Sequence, residues 1–453
     1  DTHKLFCNCP SILRKDEPDY IIERKLHAVA GESGEVDVAV RFEKSRERNF
    51  SYQGYNDNCC LVELDEEPPH LINQEALKIA LQISLLLNCE IIPYTQVMRK
   101  MVIDGSNTSG FQRTLLVAKN GYLETDEGKV GIQSICLEED AARIISHEKN
   151  KVVYRLDRLG IPLIEIATMP DIKNARQAKE VALMLGDILR ACRVKRGLGT
   201  IRQDVNISVK INEKQGERIE IKGVQEPDLI EKTIEIESER QKKLTEKGKS
   251  ISEVRKANED GTTEFLRPMP SASRMYPETD LPLLHISREQ INEAKKELPK
   301  LRKEIKDELK KYGLNEELVN LLVREERVED FTELLVVYNK PELIAKMLTL
   351  WISDIAKKEN KDKEEIRKKL TLDILETILQ AVYSKKINEN EIYDLMSEIV
   401  KGKEVKEAIK REKIENLEEE ILKIVKEKPG LSENAYMGLV MKKFKGKINA
   451  KEA

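Results

Sequence analysis

Thr200-Ile-Arg-Gln-Asp-Val-Asn-Ile-Ser-Val-Lys-Ile211 alternates with a period of two. Ile201, Val205, Ile207, Val209 and Ile211 fall on one face, with Gln203 the exception. Arg202, Asp204, Asn206 and Ser208 fall on the other. A half-buried strand that needed only solubility would carry Lys, Glu or Thr on its wet side. This one presents a cation, a carboxylate and an amide in a row. That set suits a metal-bound polyphosphate, with Arg on phosphate oxygens, Asp on the ion and Asn for orientation. A solvated sheet face is the competing reading, and the flanking sequence bears on the choice.

Downstream, a turn at 212–217 leads to a second strand at 218–223, where Arg218, Glu220 and Lys222 oppose Ile219 and Ile221. Pairing the two as a hairpin brings Glu220 and Lys222 within reach of Arg202, Asp204 and Asn206. A charged helix is expected over 228–246. The proline-rich stretch 265–282 then reads as a fixed, extended segment that delivers Arg267, Arg274, Glu278 and Asp280 to the wall of a site.

Upstream, 175–189 reads as an amphipathic helix leading to Gly197 and Gly199, and 161–167 as a buried strand carrying one acid, Glu165. A lone buried carboxylate is costly unless paired, and Arg155 or Arg158 is the nearby partner. The alternating strand 129–137 runs into Glu138-Glu139-Asp140 and then a short helix starting at Ala141. Three acids at a strand end concentrate charge for Mg²⁺, while Asp140 could equally cap that helix. Residues 105–113 form a Gly-bounded polar loop of the kind that wraps phosphates with backbone N–H groups. A core-facing helix is expected over 73–87 and a strand over 36–42. Four of the seven Cys lie before residue 70: Cys7 and Cys9, then Cys59 and Cys60. Cys7 and Cys9 can share one side of an extended segment. A later Cys with Glu63 or water would complete a tetrahedral zinc site, and buried reduced thiols are the alternative.

The chain has 453 residues, which allows roughly three domains. It holds no apolar run of about 18 residues, so no membrane span is expected. With 35% charged residues and a net charge of -4, it reads as a cytoplasmic protein whose basic contacts are local patches. It opens without an initiator Met or a signal peptide and is expected to begin inside a longer protein. From Ser287 the composition turns Lys/Glu-rich and helical, with a stripe at Ile392, Leu395, Met396 and Ile399. The closing run 441–447 is basic with one aromatic residue. A Walker A loop is missing, since Gly248-Lys-Ser250 has Lys243 where the earlier Gly belongs. The kinase signature set and the Ser nucleophile elbow are missing too. Acids, arginines and an amide at strand ends leave metal-assisted phosphoryl transfer as the chemistry that uses them together.

Ordered motifs sharpen that reading. They are Leu5-Phe-Cys-Asn-Cys9, Leu137-Glu-Glu-Asp-Ala141, Asp157-Arg-Leu-Gly-Ile-Pro-Leu-Ile-Glu-Ile166, Arg202-Gln-Asp-Val-Asn-Ile-Ser208, Glu220-Ile-Lys-Gly223 and Tyr276-Pro-Glu-Thr-Asp-Leu-Pro282. Together they resemble the B/E family of tRNA-dependent amidotransferase subunits, over nearly the whole chain. Residues 61–69 and 106–114 resemble its archaeal E-type branch more than its bacterial B-type branch.

The resemblance implies an α+β protein. A cradle-like mixed α/β catalytic domain is expected over 1–286, an all-α helical domain over 287–388 and a small, truncated, YqeY-like helical tail over 389–453. The implied reaction is ATP- and Mg²⁺-dependent phosphorylation of the glutamate side chain on Glu-tRNA(Gln). Ammonia then converts it to Gln-tRNA(Gln). The ammonia comes from a separate asparaginase-like partner, the D-type subunit, in a heterodimer or α2β2 tetramer. By the same resemblance, Arg202, Asp204, Asn206 and Lys222 are the catalytic candidates, and Arg155, Arg158, Arg267 and Arg274 the ATP/phosphate-binding ones. Glu138, Glu139 and Glu278 are candidate magnesium ligands, and Cys7, Cys9 and Cys60 candidate zinc ligands. Glu63 stands where the B-type branch has a further Cys. The family opens with a Gly-Leu-Glu-Ile-His strand and the E-type branch carries an insertion resembling part of aspartyl-tRNA synthetase. This chain starts just after the former and runs directly through the expected place of the latter, near 240–251. A non-catalytic tRNA-binding module and a B-type subunit also acting on Asp-tRNA(Asn) are the alternatives.

Overall fold

A computed structural model of the chain describes residues 3–27, 34–46, 48–148, 150–195, 200–270, 275–409 and 417–443. Gly197, Gly199, Arg274 and the basic run from Phe444 onward lie outside them. The chain divides into two compact units, Asp1–Leu301 and Arg302–Ala453. The first mixes sheets and helices and the second is helical, an α+β organisation. Arg288–Lys296, just past the boundary expected at 286, lies within the first unit. Lys78 on the Gln74–Leu86 helix reaches Glu293 and Glu297 at 3.1 and 2.9 Å, and Gln82 donates to the Glu297 carbonyl at 2.8 Å.

The Gln74–Leu86 helix organises the first core. The Asn73 side chain accepts the Glu75 and Ala76 N–H groups at 3.0 and 3.1 Å and starts the helix. Asn88, at φ 55°, ends it in the left-handed conformation that asparagine tolerates. One side buries Leu77, Ala80 and Leu81 against Leu115, Val117 and Leu137. The other packs Ile79 and Ile83 against Ala118, Ile132 and Ile135. Each of these Leu, Ile and Val side chains contributes roughly 1.5–3 kcal/mol on burial. The sheet beneath is antiparallel and runs Pro162–Thr168, Gly128–Glu139, Phe111–Thr125, Met98–Met101, Met275–Pro277. The strand Phe111–Thr125 begins inside the loop expected over 105–113.

A second sheet orders Tyr20–Arg24, Asn49–Gly54, Lys151–Arg155 and Arg143–His147. Two expectations fail here. Residues 141 onward form no helix, because the Ala142 N–H bonds the Ser106 carbonyl at 2.8 Å and Arg143–His147 joins a ladder instead. Residues 36–42 are not a strand. The Asp37 carboxylate accepts the Ala39 and Val40 N–H groups at 2.9 and 3.3 Å and nucleates the helix Val38–Lys44. A good cap outweighs β-branched alternation over so short a stretch.

The third sheet orders Val205–Ile207, Ile219–Lys222, Glu253–Ala257 and Thr263–Pro268. The hairpin forms in the expected register, Val205 opposite Ile221, Asn206 opposite Glu220 and Ile207 opposite Ile219. The strand expected over 200–211 pairs over Val205–Ile207 only. Past it, Lys210–Ile211 and Lys214–Gln215 pair separately around Asn212 at φ 52°. The helix Pro227–Glu246 is the crossover that makes Ile219–Lys222 and Glu253–Ala257 parallel neighbours. Residues 247–252 join that helix to the next strand at the place where an insertion was expected to be missing.

The second unit packs its helices around Leu318, Leu322, Phe331, Ile352, Leu375 and Ile378. The stripe Ile392, Leu395, Met396 and Ile399 is buried in the same core, as its spacing predicts. Among the described residues, no helix is long and apolar enough to cross a membrane.

Candidate functional site

A cleft of about 1860 Å³ lies within the first unit, between the edge strand Pro162–Thr168, the helix Ala175–Ala191 and the third sheet. Its polar lining falls into two groups. The first is built on the large sheet. Lys100 Nζ donates to Glu138 Oε1 at 2.5 Å and lies 3.6 Å from Glu165 Oε2. Gln112 donates to Glu138 Oε2 at 3.2 Å. Glu165 lines the cleft, and its pKa is raised by the desolvation of its surroundings and by the charge of Glu138. Its partner is Lys100 and not Arg155 or Arg158. The strand register sets Glu165 opposite Cys136, on the side that carries Glu138.

The second group is built on the hairpin. Lys222 Nζ sits 2.7 Å from Asp204 Oδ2 and 2.7 Å from Glu220 Oε1. Burial pulls this ammonium down, but the two carboxylates outweigh it and leave it raised. Asn206 is exposed and lines the same cleft. Arg202 Nη2 donates to Asp140 Oδ1 at 3.1 Å, and Arg267 also lines the cleft. The structure therefore brings Arg202, Asp204, Asn206, Lys222, Arg267 and Glu138 to one cavity.

Other candidates lie elsewhere. Glu139 follows Glu138 along one strand and so points to the opposite face. There it pairs with Arg113 at 3.5 Å, and burial raises its pKa. Glu278 accepts from Arg113 Nε at 2.8 Å and also bonds Arg99. Burial pushes this carboxyl up, yet the bonds from Arg99, the Asp280 N–H and Arg113 overrule it and hold it at about 2. Glu139 and Glu278 thus share Arg113, not the Glu138 cluster. Arg155 sits on the second sheet, donating to Gln53 at 2.9 Å. Arg158 braces the cleft from behind through the Ala141 and Ala142 carbonyls at 2.8 and 3.1 Å. Arg274 lies outside the described residues.

The sulfur atoms of Cys7, Cys9 and Cys60 and a carboxylate oxygen of Glu63 all lie within 4.8 Å of one another. Cys60 follows the turn at 56–58, and Cys7 and Cys9 lie on the opening loop, which the Lys4 N–H to Cys9 carbonyl bond closes at 2.9 Å. Hydrogen bonds from Cys7 and Cys9 pull the Cys60 thiol far below the thiol range. The bond with Cys60 in turn pushes Cys7 up, and Cys9 goes to about 12. Three sulfurs and one carboxylate at this spacing fit a tetrahedral thiophilic ion, with bonds of about 2.0–2.3 Å. Cys59, buried, stands apart from the four.

Sequence reading missed Lys100, Gln112, Arg99, Arg113 and Lys4. Met98-Arg-Lys-Met101 carried a signal, since a strand with a cation on each face needs an acid on each face. Lys4 stands beside the first Cys motif, and its burial follows from the long-range contact with Leu156.

Comparison with known proteins bears on the family of the chain. Residues 1–292 match the family model described as the GatB/GatE catalytic domain. The E-type subunit of the glutamyl-tRNA(Gln) amidotransferase of Methanocaldococcus jannaschii is 37% identical, over 99% of this chain and 94% of that protein. The proteins of the same name from Methanococcus maripaludis and Thermococcus sibiricus are each 34% identical, over 99% and 100% of this chain and 94% of theirs. The first alignment runs to 603 positions against the 453 residues here, so part of that relative faces no residue of this chain. With a match across both the cleft and the Cys cluster, the chain belongs to the GatB/GatE family.

Proposed function

We propose that the cleft is the site of an ATP-dependent amidotransferase acting on Glu-tRNA(Gln). The observation that carries the reading is the two acid–cation groups, Glu138–Lys100–Glu165 and Asp204–Lys222–Glu220, lining one cavity. In this reading an oxygen of the glutamate γ-carboxylate attacks the γ-phosphorus of ATP and ADP leaves. Ammonia then attacks the acyl carbon and phosphate leaves, giving the amide. Lys222, Arg202 and Arg267 bind phosphate oxygens, and Asn206 orients the carboxylate. Glu138 and Glu165 offer the hard oxygen donors that Mg²⁺ takes, and the ion supplies charge neutralisation between phosphates. Glu139 and Glu278 act from the other face, by fixing Arg113 and Arg99 beneath the strands that carry Glu138 and Lys100.

Cys7, Cys9, Cys60 and Glu63 hold zinc in a structural role, since all four positions are filled by protein and none is left open for a substrate. The ammonia comes from the asparaginase-like D-type partner, with which the chain forms a heterodimer or α2β2 tetramer. The helical second unit contributes to holding the tRNA.

The test uses the chain with its asparaginase-like partner, Glu-tRNA(Gln), Mg²⁺ and ATP, without an ammonia donor. ADP and a γ-glutamyl phosphate that form only with charged tRNA(Gln), and not with an Asp204→Ala variant, support the reading. Retention of tRNA without ADP in the unaltered protein overturns it in favour of a tRNA-binding module.

A further inference from the structure

Lys4 is fully buried, which an ammonium tolerates only with partners. Its Nζ lies 2.9 Å from Glu63 Oε1 and donates to the Leu156 carbonyl at 3.2 Å. Its stem lies over Gly160, whose added Cβ would stand 3.5 Å from Lys4 Cδ. The backbone fixes it further. The Lys4 N–H bonds the Cys9 carbonyl at 2.9 Å and the Leu5 N–H bonds the Gly160 carbonyl at 2.8 Å. The ammonium is therefore a fixed charge, not a mobile one.

Glu63 divides its oxygens. Oε1 faces Lys4, with Cys7 Sγ at 3.0 Å. Oε2 accepts the Cys60 N–H at 2.9 Å and lies 3.1 Å from Cys60 Sγ. A carboxylate among three thiolates could rotate, bind through both oxygens, or leave. The contact with Lys4 restrains all three motions. It also balances charge: three thiolates and a carboxylate around a divalent cation carry two net negative charges, and Lys4 reduces them to one. An uncompensated charge in a buried site is costly.

We infer that Lys4 is the positioning residue of this metal site, holding Glu63 as a one-oxygen fourth ligand by occupying its other oxygen. The inference rests on the zinc reading above. It explains why a carboxylate can stand in a pocket otherwise made of sulfur, and it predicts that Lys4 matters more while residue 63 is an acid than when it is a Cys, where only the charge compensation remains.

The experiment measures zinc affinity by competition with a chromophoric chelator, and the visible absorption of the cobalt-substituted protein, in the full chain. Four forms are compared: unaltered, Lys4→Met, Glu63→Cys and the double variant. The unaltered chain is expected to bind one zinc, and Lys4→Met to bind it about 10–100-fold more weakly, as loss of a ligand's outer partner does. Its cobalt bands should shift as the oxygen ligand loosens. Glu63→Cys should bind at least as tightly as the unaltered chain, and adding Lys4→Met to it should cost at least threefold less affinity than the same change costs the unaltered chain, because four thiolates keep the charge that Lys4 offsets but leave no carboxylate to restrain. Equal loss from Lys4→Met in both backgrounds, or no loss in either, overturns the inference while leaving the zinc site standing. Failure of the unaltered chain to bind zinc overturns the zinc reading itself, and this inference with it. Should Lys4→Met alone not fold, Lys4→Arg, which keeps the charge but alters its approach to Oε1, carries the comparison in both backgrounds: a loss confined to the Glu63 background supports the inference, and equal loss in both, or none in either, overturns it.

Discussion

Glu138 and Glu139 are consecutive along one strand yet meet different partners, Lys100 at 2.5 Å on the cleft side and Arg113 at 3.5 Å on the other. Replacing each by glutamine therefore separates chemistry from structure. Glu138→Gln keeps a hydrogen-bonding group beside Lys100 and Gln112 but removes the charge. It is expected to lower ADP formation roughly 100-fold, with little change in unfolding midpoint. Glu139→Gln removes a carboxylate whose ionised form burial disfavours and leaves Arg113 paired with Glu278, so it is expected to change urea unfolding by no more than about 1 kcal/mol, with turnover largely kept. A stable Glu139→Gln protein without turnover would place this acid in the chemistry instead.

Glu278 makes stability depend on acid. Its carboxyl is held at about 2 against an ordinary 4.5, so its ionised form is the one that favours the fold. That contribution is fully present above 4.5, declines as pH falls and is gone near 2. The gap corresponds to about 3 kcal/mol. Glu139 is raised by burial, so its contribution runs the other way and lies above 4.5. Denaturant unfolding between pH 2 and 5 should show the loss, and Glu278→Gln should flatten it. An unchanged slope in the variant would assign the acid sensitivity to other groups.

Gly105 positions the polar loop that lines the cleft with Asp104, Ser106 and Asn107. It sits at φ 92°, and an added Cβ would stand 2.2 Å from the Phe50 ring. The loop cannot retreat easily, because Tyr52 and Tyr154 hydroxyls hold the Gly105 and Asp104 carbonyls at 2.7 and 2.8 Å. Gly105→Ala is thus expected to cost roughly 1–3 kcal/mol of stability. It should also raise the KM for ATP more than it lowers kcat. A KM left unchanged would show that this wall does not touch the nucleotide.

The hairpin that joins Asp204 to Lys222 was legible because period-two alternation on both strands allows few registers. The stripe around Met396 was legible for the same reason at helical period. Elements decided by a single competing bond were not. One cap at Asp37 replaced the strand expected over 36–42 with the helix Val38–Lys44, and one long-range bond from Ala142 to Ser106 cancelled another helix. For the site, residue types were readable but facing was not. Nothing in Glu138-Glu139-Asp140 reveals where the strand ends, and hence that consecutive acids stay on opposite faces. Lys100 and Lys4 escaped because an isolated lysine carries no pattern; each gains its meaning from an acid distant in sequence.

The Asp204–Lys222 pair offers the sharpest test of the cleft. Lys222 is flanked by Asp204 and Glu220 at 2.7 Å each, so its charge reaches a phosphate only in company with theirs. Asp204→Asn puts a neutral amide beside the ammonium and unbalances the group, and Lys222→Met removes its centre. Each is expected to lower kcat/KM for ADP formation roughly 100-fold while tRNA retention stays within about twofold. Because the residues act as one unit, the double variant should be no worse than the poorer single. Losses that multiply would instead mean independent roles, one on the nucleotide and one on the substrate carboxylate. Loss of tRNA retention in either single variant would mean that the hairpin grips the tRNA end and not the phosphates.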